Sequence, residues 1–502
     1  MLSQKGKESV VLLLSELARA NPGAHYITKD PKIQGLTADS RTVKPGYLFA
    51  ALQGAQSDGR DFIKDALSRG AAAILAPTGT GLPAAAKEIP MINVDNPRRS
   101  LALFASRYFG RQPSIAAAVT GTNGKTSVAW FTHNIWKRLD HPSAAIGTLG
   151  VTTEATDIFN GEGLTTADPI TLHQQLQSLA DERIDHVVLE ASSHGLEQSR
   201  LDGVNLTAGA FTNLSCDHLD YHGTMDEYRS AKLNLFNHLL PKNATAVLNS
   251  DSSDYSVFSS ISKARGLKVI CYGRNANEIR IDKIKALPSS QQLSITILGR
   301  QYDFELNMTG FFQAQNVLCA LGLTIACGDD PEKVIDFLPE LRSPPGRLEL
   351  VGITPKGAAV YIDYAHTPDA LMSLLLALRP HTSGKLSVVF GCGGDRDKSK
   401  RPQMGAIANN LADRIYITDD NPRSELPGAI RDAILAKCPN AKEIANRAEA
   451  IQCAIMDLLP DDVLVIAGKG HETSQIFNNR AFPFKDTAIA RATIEAIKGL
   501  NR

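Results

Sequence analysis

The sequence predicts an α/β protein of three domains, and three observations carry that prediction. At 502 residues the chain is too long for one compact core. Apolar runs such as SIAAAVT, HVVLEAS and ATAVLNS are each followed by polar loops and helical stretches, the pattern of a mostly parallel sheet with helices on both faces. A glycine-rich turn joins the first of these runs to a helix start, so the central sheet is expected to be of the phosphate-loop type.

The elements follow in order. Residues 1–95 alternate short apolar stretches (AAAILAP, IPMINV) with turn residues, as a small α/β unit does. DNPRRSLALFASRYFGRQP then reads as a cap, an amphipathic helix, and a Gly–Pro stop, which places a boundary near Asp95. The central domain is expected over residues 96–341. SPPGR, with two prolines, is a stiff connector into a third domain over residues 342–502. AAVYIDYA, LSVVFGCGGD, RIYITDD and DVLVIAGKG are four further strand–loop units there, as in a Rossmann-like domain. In open parallel sheets ligands gather beyond the carboxyl ends of strands. The motifs in the central and third domains sit at such ends or in the loop that follows.

Composition narrows the function. Lysine plus arginine equals aspartate plus glutamate, 53 against 53, so no net field draws the chain to nucleic acid or an anionic membrane. Anionic ligands must be held by local clusters. The seven cysteines form no CxxC pair and are odd in number, as expected of reduced thiols in a cytoplasmic protein. The apolar run near the start is broken by Ser15 and Glu16, so neither a membrane span nor a secretory segment is expected.

AAAVTGTNGKTSVAW runs from strand to helix through Gly121, Thr122, Asn123, Gly124, Lys125, Thr126 and Ser127. Glycines let successive backbone N–H groups face an anion at the helix start. Lys125 is expected to reach β- and γ-phosphates, and the Thr126 hydroxyl to ligate Mg²⁺. Val119 stands where the usual eight-residue loop begins with glycine, so this is a shortened variant, open to ATP or GTP. Glu190 ends the HVVLE run and is the natural hard-oxygen ligand for the same ion. FTNLSCDHLDYHGTMDEYRSAKLNLF then concentrates Asp217, His218, Asp220 and His222 ahead of Lys232. Zinc fits poorly, because no third ligand stands at ordinary spacing.

TGTNGKT, together with NLSxDHLDYHG and YxxAK, resembles the Mur ligase family, which includes the folylpolyglutamate synthetases. The resemblance implies ATP as co-substrate and two Mg²⁺ ions. It implies that His218 binds the second ion and that Lys232 is carbamylated by CO₂ to N6-carboxylysine, so that Lys125, Lys232 and His218 serve catalysis. The chemistry is reasonable: an ammonium repels Mg²⁺, whereas a buried neutral lysine can capture CO₂ and offer two oxygens. Ser40 and Arg41 in TADSRTVKPG match the family's uridine-recognition region. Thr165, Thr166, Ser192, Gln198 and Arg200 match positions that bind UDP-N-acetylmuramoyl-L-alanyl-D-glutamate. Asn316, Arg347 and Asp363 match residues near the nucleotide, although Gln313 stands where the family usually has another asparagine. His366 is open between contacting nucleotide and orienting the amine.

The third domain carries signals for the incoming amino acid: Arg396 in GGDRD, Asp420, Asn421, Pro422 and Arg423 in DNPR, and Gly468 and Glu472 in GKGHE. These resemble the branch that adds meso-diaminopimelate, in which the DNPR arginine grips a carboxylate that lysine lacks. DNPR also occurs at Asp95–Arg98, where a helix-capping role is expected. The implied reaction joins that amine to the dipeptide carboxylate through an acyl phosphate, in peptidoglycan synthesis, by a cytoplasmic monomer. Alternatives are a lysine-adding relative, a folylpolyglutamate synthetase, or a nucleotide-binding switch.

Overall fold

The computed structural model describes residues 11–19, 29–54, 57–86, 88–154, 157–158, 164–217 and 219–500. Three sheets carry the architecture. A four-stranded parallel sheet runs through Gly35–Thr37, Tyr47–Ala50, Ala73–Pro77 and Met91–Val94 in sequence order. An eleven-stranded sheet follows, with Ile115–Thr120 between His186–Glu190 and Leu206–Phe211, all parallel. A six-stranded sheet closes the chain, parallel except for its edge strand Glu349–Ile353.

The runs read as strands are strands, because their β-branched and alanine residues are buried on both faces between helices. Both edges of the central sheet break that pattern: at one, Gly150–Thr153 pairs antiparallel with Ser143–Gly147 and with Asp157–Ile158. At the other, Ile279–Ala286, Gln291–Ile297 and Arg300–Leu306 form an antiparallel meander. Their alternating burial marks a sheet wet on one face, and Leu293, Ile295 and Leu306 join the central core.

The helix Pro97–Phe109, expected to open the central domain, lies between the first sheet and the central-domain helix Pro169–Asp181. Leu101, Phe104, Ala105 and Tyr108 join that sheet's core, and Tyr108 Oη donates to the Gln34 carbonyl at 2.7 Å. Its other side is tied to the central domain by Ser106 Oγ to the Gly203 carbonyl (2.9 Å) and by the Arg99–Asp202 ion pair. An amphipathic pattern reveals that a helix has an apolar face but not which sheet will cover it.

Beneath the carboxyl-end loops of the third sheet lies a fully buried ion pair. Arg447 Nε and an Nη donate to the two oxygens of Asp486 at 2.7 Å, and the same Nη donates to the Ala467 carbonyl at 2.9 Å. The pair fixes the end of strand Val463–Ala467 against the last helix, Asp486–Leu500. Asp486→Asn leaves a buried guanidinium without its counter-charge, an expected loss of about 3–5 kcal/mol. Urea denaturation of the variant followed by far-UV circular dichroism checks it, and a loss below about 1 kcal/mol would contradict the analysis.

Candidate active site

The phosphate loop is shaped by what presses on it. Gly121 (φ 150°) has Thr212 Oγ1 where a side chain would stand, and Gly124 (φ 91°) has Asn316 Oδ1 2.5 Å from any Cβ. Thr212 and Asn213, just past the strand Leu206–Phe211, brace the turn. Thr212 Oγ1 donates to the Asn123 carbonyl (2.6 Å), and the Asn123 amide donates to Asn213 Oδ1 (3.0 Å). Thr122, Thr126 and Ser127 are buried, while Asn123 is exposed.

Two lysines point into this turn. Lys125 Nζ donates to the Gly121 and Thr122 carbonyls, both at 2.9 Å, so its ammonium folds back over the loop. Lys232, 1% exposed, donates to the same Gly121 carbonyl at 2.9 Å and lies 4.3 Å from the centre of the Tyr228 ring. Burial lowers the Lys125 ammonium, opposed by Glu190 and Asp217. Burial pushes Lys232 well below the usual lysine range; the Lys125 charge adds to this and Asp217 opposes it. Glu190 faces them from the neighbouring strand end. Its oxygens accept from Thr126 Oγ1 (3.0 Å), the Thr148 amide (2.8 Å) and Thr148 Oγ1 (3.1 Å). His218 lies outside the described residues.

The residues matched to the sugar-peptide substrate also come together. Thr166 Oγ1 donates to the Glu190 carbonyl (2.7 Å) and accepts from the Ser192 amide and hydroxyl (2.9 and 3.0 Å). Thr165 lies 3.3 Å from Thr148 Oγ1. Arg200 donates to the Thr166 carbonyl (2.6 Å) and to Gln198 Oε1 (2.8 Å). In the first domain a cavity of about 770 Å³ is lined by Ser40, Arg41, Phe49, Gln53 and Phe62. Ser40 is buried, and Arg41 is exposed and paired with Asp39 at 2.7 Å. Arg98, from the first DNPR copy, lines the same cavity and reaches Gln198. The rest of that copy behaves as expected: Asn96 Oδ1 caps the helix at the Arg99 amide and Pro97 opens it. Sequence spacing carries no signal for Arg98's second role.

The third-domain loops converge as well. The Gly394 amide donates to the Asn421 carbonyl (2.9 Å), and Asp395 and Glu425 cross-link GGDRD to DNPRSE. Gly468 is held so close to Asp420 that a Cβ would lie 2.7 Å from Oδ2. Asn421 donates to Glu472 (2.9 Å) and accepts from Lys469 (3.0 Å), and Lys469, 0% exposed, also binds Glu472 at 2.6 Å. Arg423 stands at φ 53° with its backbone bonded to Ile476 and Asn478, and its guanidinium donates to the Gly394 carbonyl (2.8 Å). Arg396 is exposed on the same loop cluster.

A buried relay links these loops to the phosphate turn. Asn316 Nδ2 donates to Gln313 Oε1 (3.1 Å), and Gln313 Nε2 donates to the Arg347 carbonyl (3.0 Å). Gly346, beside it, packs on Gly470 and His471, and the Arg347 guanidinium lies 4.4 Å from the Tyr364 ring centre. Asp363 accepts from the Leu348 and Ala365 amides (both 2.7 Å), so its carboxylate straps the linker to the third sheet. Burial raises the Asp363 carboxyl, with Arg347 opposing. His471 is held neutral, lowered to about 4 by burial and by Arg347. His366 Nδ1 hydrogen-bonds the Tyr364 carbonyl at 2.9 Å.

This arrangement is matched along almost the whole chain by known proteins. Residues 32–109 fit the model of the Mur ligase family catalytic domain, 119–324 the Mur ligase middle domain, and 346–470 the Mur ligase glutamate ligase domain. A protein of Caulobacter vibrioides named UDP-N-acetylmuramoyl-L-alanyl-D-glutamate--2,6-diaminopimelate ligase is 48% identical over 476 residues, 94% of this chain and 97% of its own. One of the same name from Bradyrhizobium diazoefficiens is 49% identical over 469 residues, 92% of this chain and 95% of its own. A solved structure of a ligase with that name superposes with a TM-score of 0.70 at 31% identity, covering 96% of this chain and 98% of its own. With the phosphate turn, Asn316, Gln313 and Arg347 of the relay, and the third-domain loops as far as Gly470 inside the matched regions, the chain belongs to the Mur ligase family.

Proposed function

We propose that this chain is an ATP-dependent, ADP-forming ligase of peptidoglycan synthesis. It joins an amine of meso-2,6-diaminopimelate to the free carboxylate of UDP-N-acetylmuramoyl-L-alanyl-D-glutamate. The observation that carries the reading is the meeting of the Gly393–Arg396, Asp420–Arg423 and Gly468–Glu472 loops on a linker tied, through Gln313, to the phosphate turn. The near full-length relatives that bear the corresponding name support it. No helix among the described residues is long and apolar enough to cross a membrane. We assign it to the cytoplasm as a monomer. We also divide it into three working units, 1–95, 96–341 and 342–502, with the helix Pro97–Phe109 bridging the first boundary.

In this reading the dipeptide carboxylate attacks the γ-phosphorus of ATP, ADP leaves, and an acyl phosphate forms. The diaminopimelate amine attacks its carbonyl carbon, and phosphate departs from the tetrahedral intermediate as the amine loses its proton. Gly121–Ser127 cradles the phosphates, and Lys125 swings from the loop carbonyls to the anion. Asn316, Arg347 and Asp363 hold the nucleotide side of the cleft, with the linker closing it against water. Ser40 and Arg41 take the uridine end; Thr165, Thr166, Ser192, Gln198 and Arg200 take the diphosphate-linked sugar and its peptide. Arg423 and Arg396 grip the distal carboxylate of diaminopimelate, Glu472 binds its distal ammonium, and Asp420, Asn421, Pro422 and Gly468 complete the pocket.

Two Mg²⁺ ions belong to the reading. The Glu190 carboxylate and Thr126 hydroxyl, 3.0 Å apart, are a hard-oxygen pair suited to one ion with phosphate completing its shell. Unmodified Lys232 offers no oxygen. As a carbamate, formed when its neutral amine bonds the CO₂ carbon and releases a proton, it would hold the second ion with His218. Bound Mg²⁺ offsets phosphoryl charge.

Three outcomes test this. Phosphate release with the UDP-dipeptide and ATP rises on adding diaminopimelate but not lysine; ATP hydrolysis indifferent to any amino acid would replace the reading with a nucleotide switch. Lys232→Ala loses about a hundredfold or more in kcat, and wild-type activity falls in CO₂-depleted buffer and returns with bicarbonate; a fully active variant removes the carbamate. Arg423→Gly, which tolerates the positive φ, raises KM for diaminopimelate and erodes its preference over lysine by about a hundredfold, with KM for ATP unchanged. Equal losses on both substrates would contradict the assignment.

A further inference from the structure

Two guanidinium groups converge on one neutral oxygen between the first-domain cavity and the peptide-side cluster. Gln198 Oε1 lies 2.8 Å from an Arg200 Nη, 3.3 Å from Arg200 Nε and 3.4 Å from an Arg98 Nη. The other Arg98 Nη donates to the Gln53 carbonyl at 2.5 Å, in the loop that walls the cavity. No carboxylate is hydrogen-bonded to either arginine among the described residues; burial lowers the Arg200 guanidinium, the Asp168 charge opposes this and the Arg98 charge adds to it, while Glu197 is the carboxylate that feels Arg98. Two cations sharing an amide oxygen repel each other, so the arrangement favours an anion that can neutralise both. A monoanion suffices for one fork; two forks suit a diphosphate.

The position agrees with the order of the site. On one side of Arg98 lies the cavity with Ser40 and Arg41, and on the other Gln198 leads through Arg200 to Thr166 and then Glu190 beside the phosphate turn. A nucleoside-diphosphate sugar laid along this path, base in the cavity and peptide carboxylate at the turn, carries its diphosphate past Arg98. We infer that Arg98 is a substrate-binding residue that, with Arg200, holds the diphosphate of the nucleotide-linked substrate. The inference rests on the function proposed above. Arg98 also joins two domains, because its donors reach Gln53 in one and Gln198 in the other. The anion therefore fixes the first domain over the substrate.

A substrate-truncation cycle tests it. Full-length wild type and Arg98→Met are assayed with the complete UDP-linked dipeptide and with the same muramoyl dipeptide lacking the UDP group. Arg98→Met raises KM for the complete substrate about tenfold to a hundredfold, leaving KM for ATP and diaminopimelate near wild type. Truncation costs the variant correspondingly less than it costs wild type, which a purely structural strut would not produce. Arg98→Lys recovers part of the loss, since one ammonium replaces a fork. Equal truncation penalties in wild type and Arg98→Met overturn the inference while leaving the ligase reading intact. Wild type inactive on both substrates would instead overturn the ligase reading.

Discussion

The side-chain amide of Gln313, 0% exposed, accepts from Asn316 and donates to the Arg347 carbonyl and to Ser343. The bonds to Ser343 and Arg347 hold the linker onto the helix that underlies the phosphate turn, and the bond within the helix fixes Asn316 beside them. Asn316 in turn fills the space that a side chain at Gly124 would need. On the far side of the linker, Gly346 leaves no room for a side chain against Gly470 and His471. The phosphate turn and the third-domain loops are therefore joined by contact over a few residues, which on the proposed function couples phosphate binding to amino-acid recognition. Burial strengthens the coupling, because an unmade bond to a buried amide costs more than the bond itself gains.

Electrostatics makes the same turn costly without a ligand. Lys125 and Lys232 both donate to the Gly121 carbonyl, and both are desolvated. Two ammonium groups sharing one neutral oxygen are relieved either by an anion or by loss of a proton. Polyphosphate supplies the first, and deprotonation of Lys232 the second. Arg98 and Arg200 repeat the motif at the other end of the substrate path, around Gln198. A chain with no net charge thus concentrates cations in pairs at the two places proposed to receive anions.

Much of this was legible in the sequence because the signals are local. Strand runs ending in glycine or acid residues, the TGTNGKT turn and the GGDRD, DNPR and GKGHE loops each declare themselves within about ten residues. What stayed hidden depends on distant pairing. Arg98 meets Gln198 only because the first sheet docks on the central one, 100 residues on. The antiparallel meander Ile279–Leu306 is not singled out by the sequence reading, since short alternating runs leave strand direction open. Gln313, set apart because asparagine was expected, is long enough to span from Asn316 to the linker carbonyl. His218 remains an expectation from the resemblance.

The proposed choice of amino acid follows from how the third-domain charges are already spent. Glu472 Oε2 is taken by Asn421 and Lys469, which fixes the carboxylate and leaves Oε1 without a hydrogen bond among the described residues. The Arg423 backbone is held at φ 53° by bonds to Ile476 and Asn478, and its half-buried guanidinium donates to the Gly394 carbonyl. A ligand with both a distal ammonium and a distal carboxylate meets both ends. Lysine would satisfy the acidic end and leave a fixed guanidinium desolvated, while a dicarboxylic acid with one amine would do the reverse. Selectivity on this reading is set less by attraction to the right ligand than by the cost of the charge each wrong one leaves unmatched.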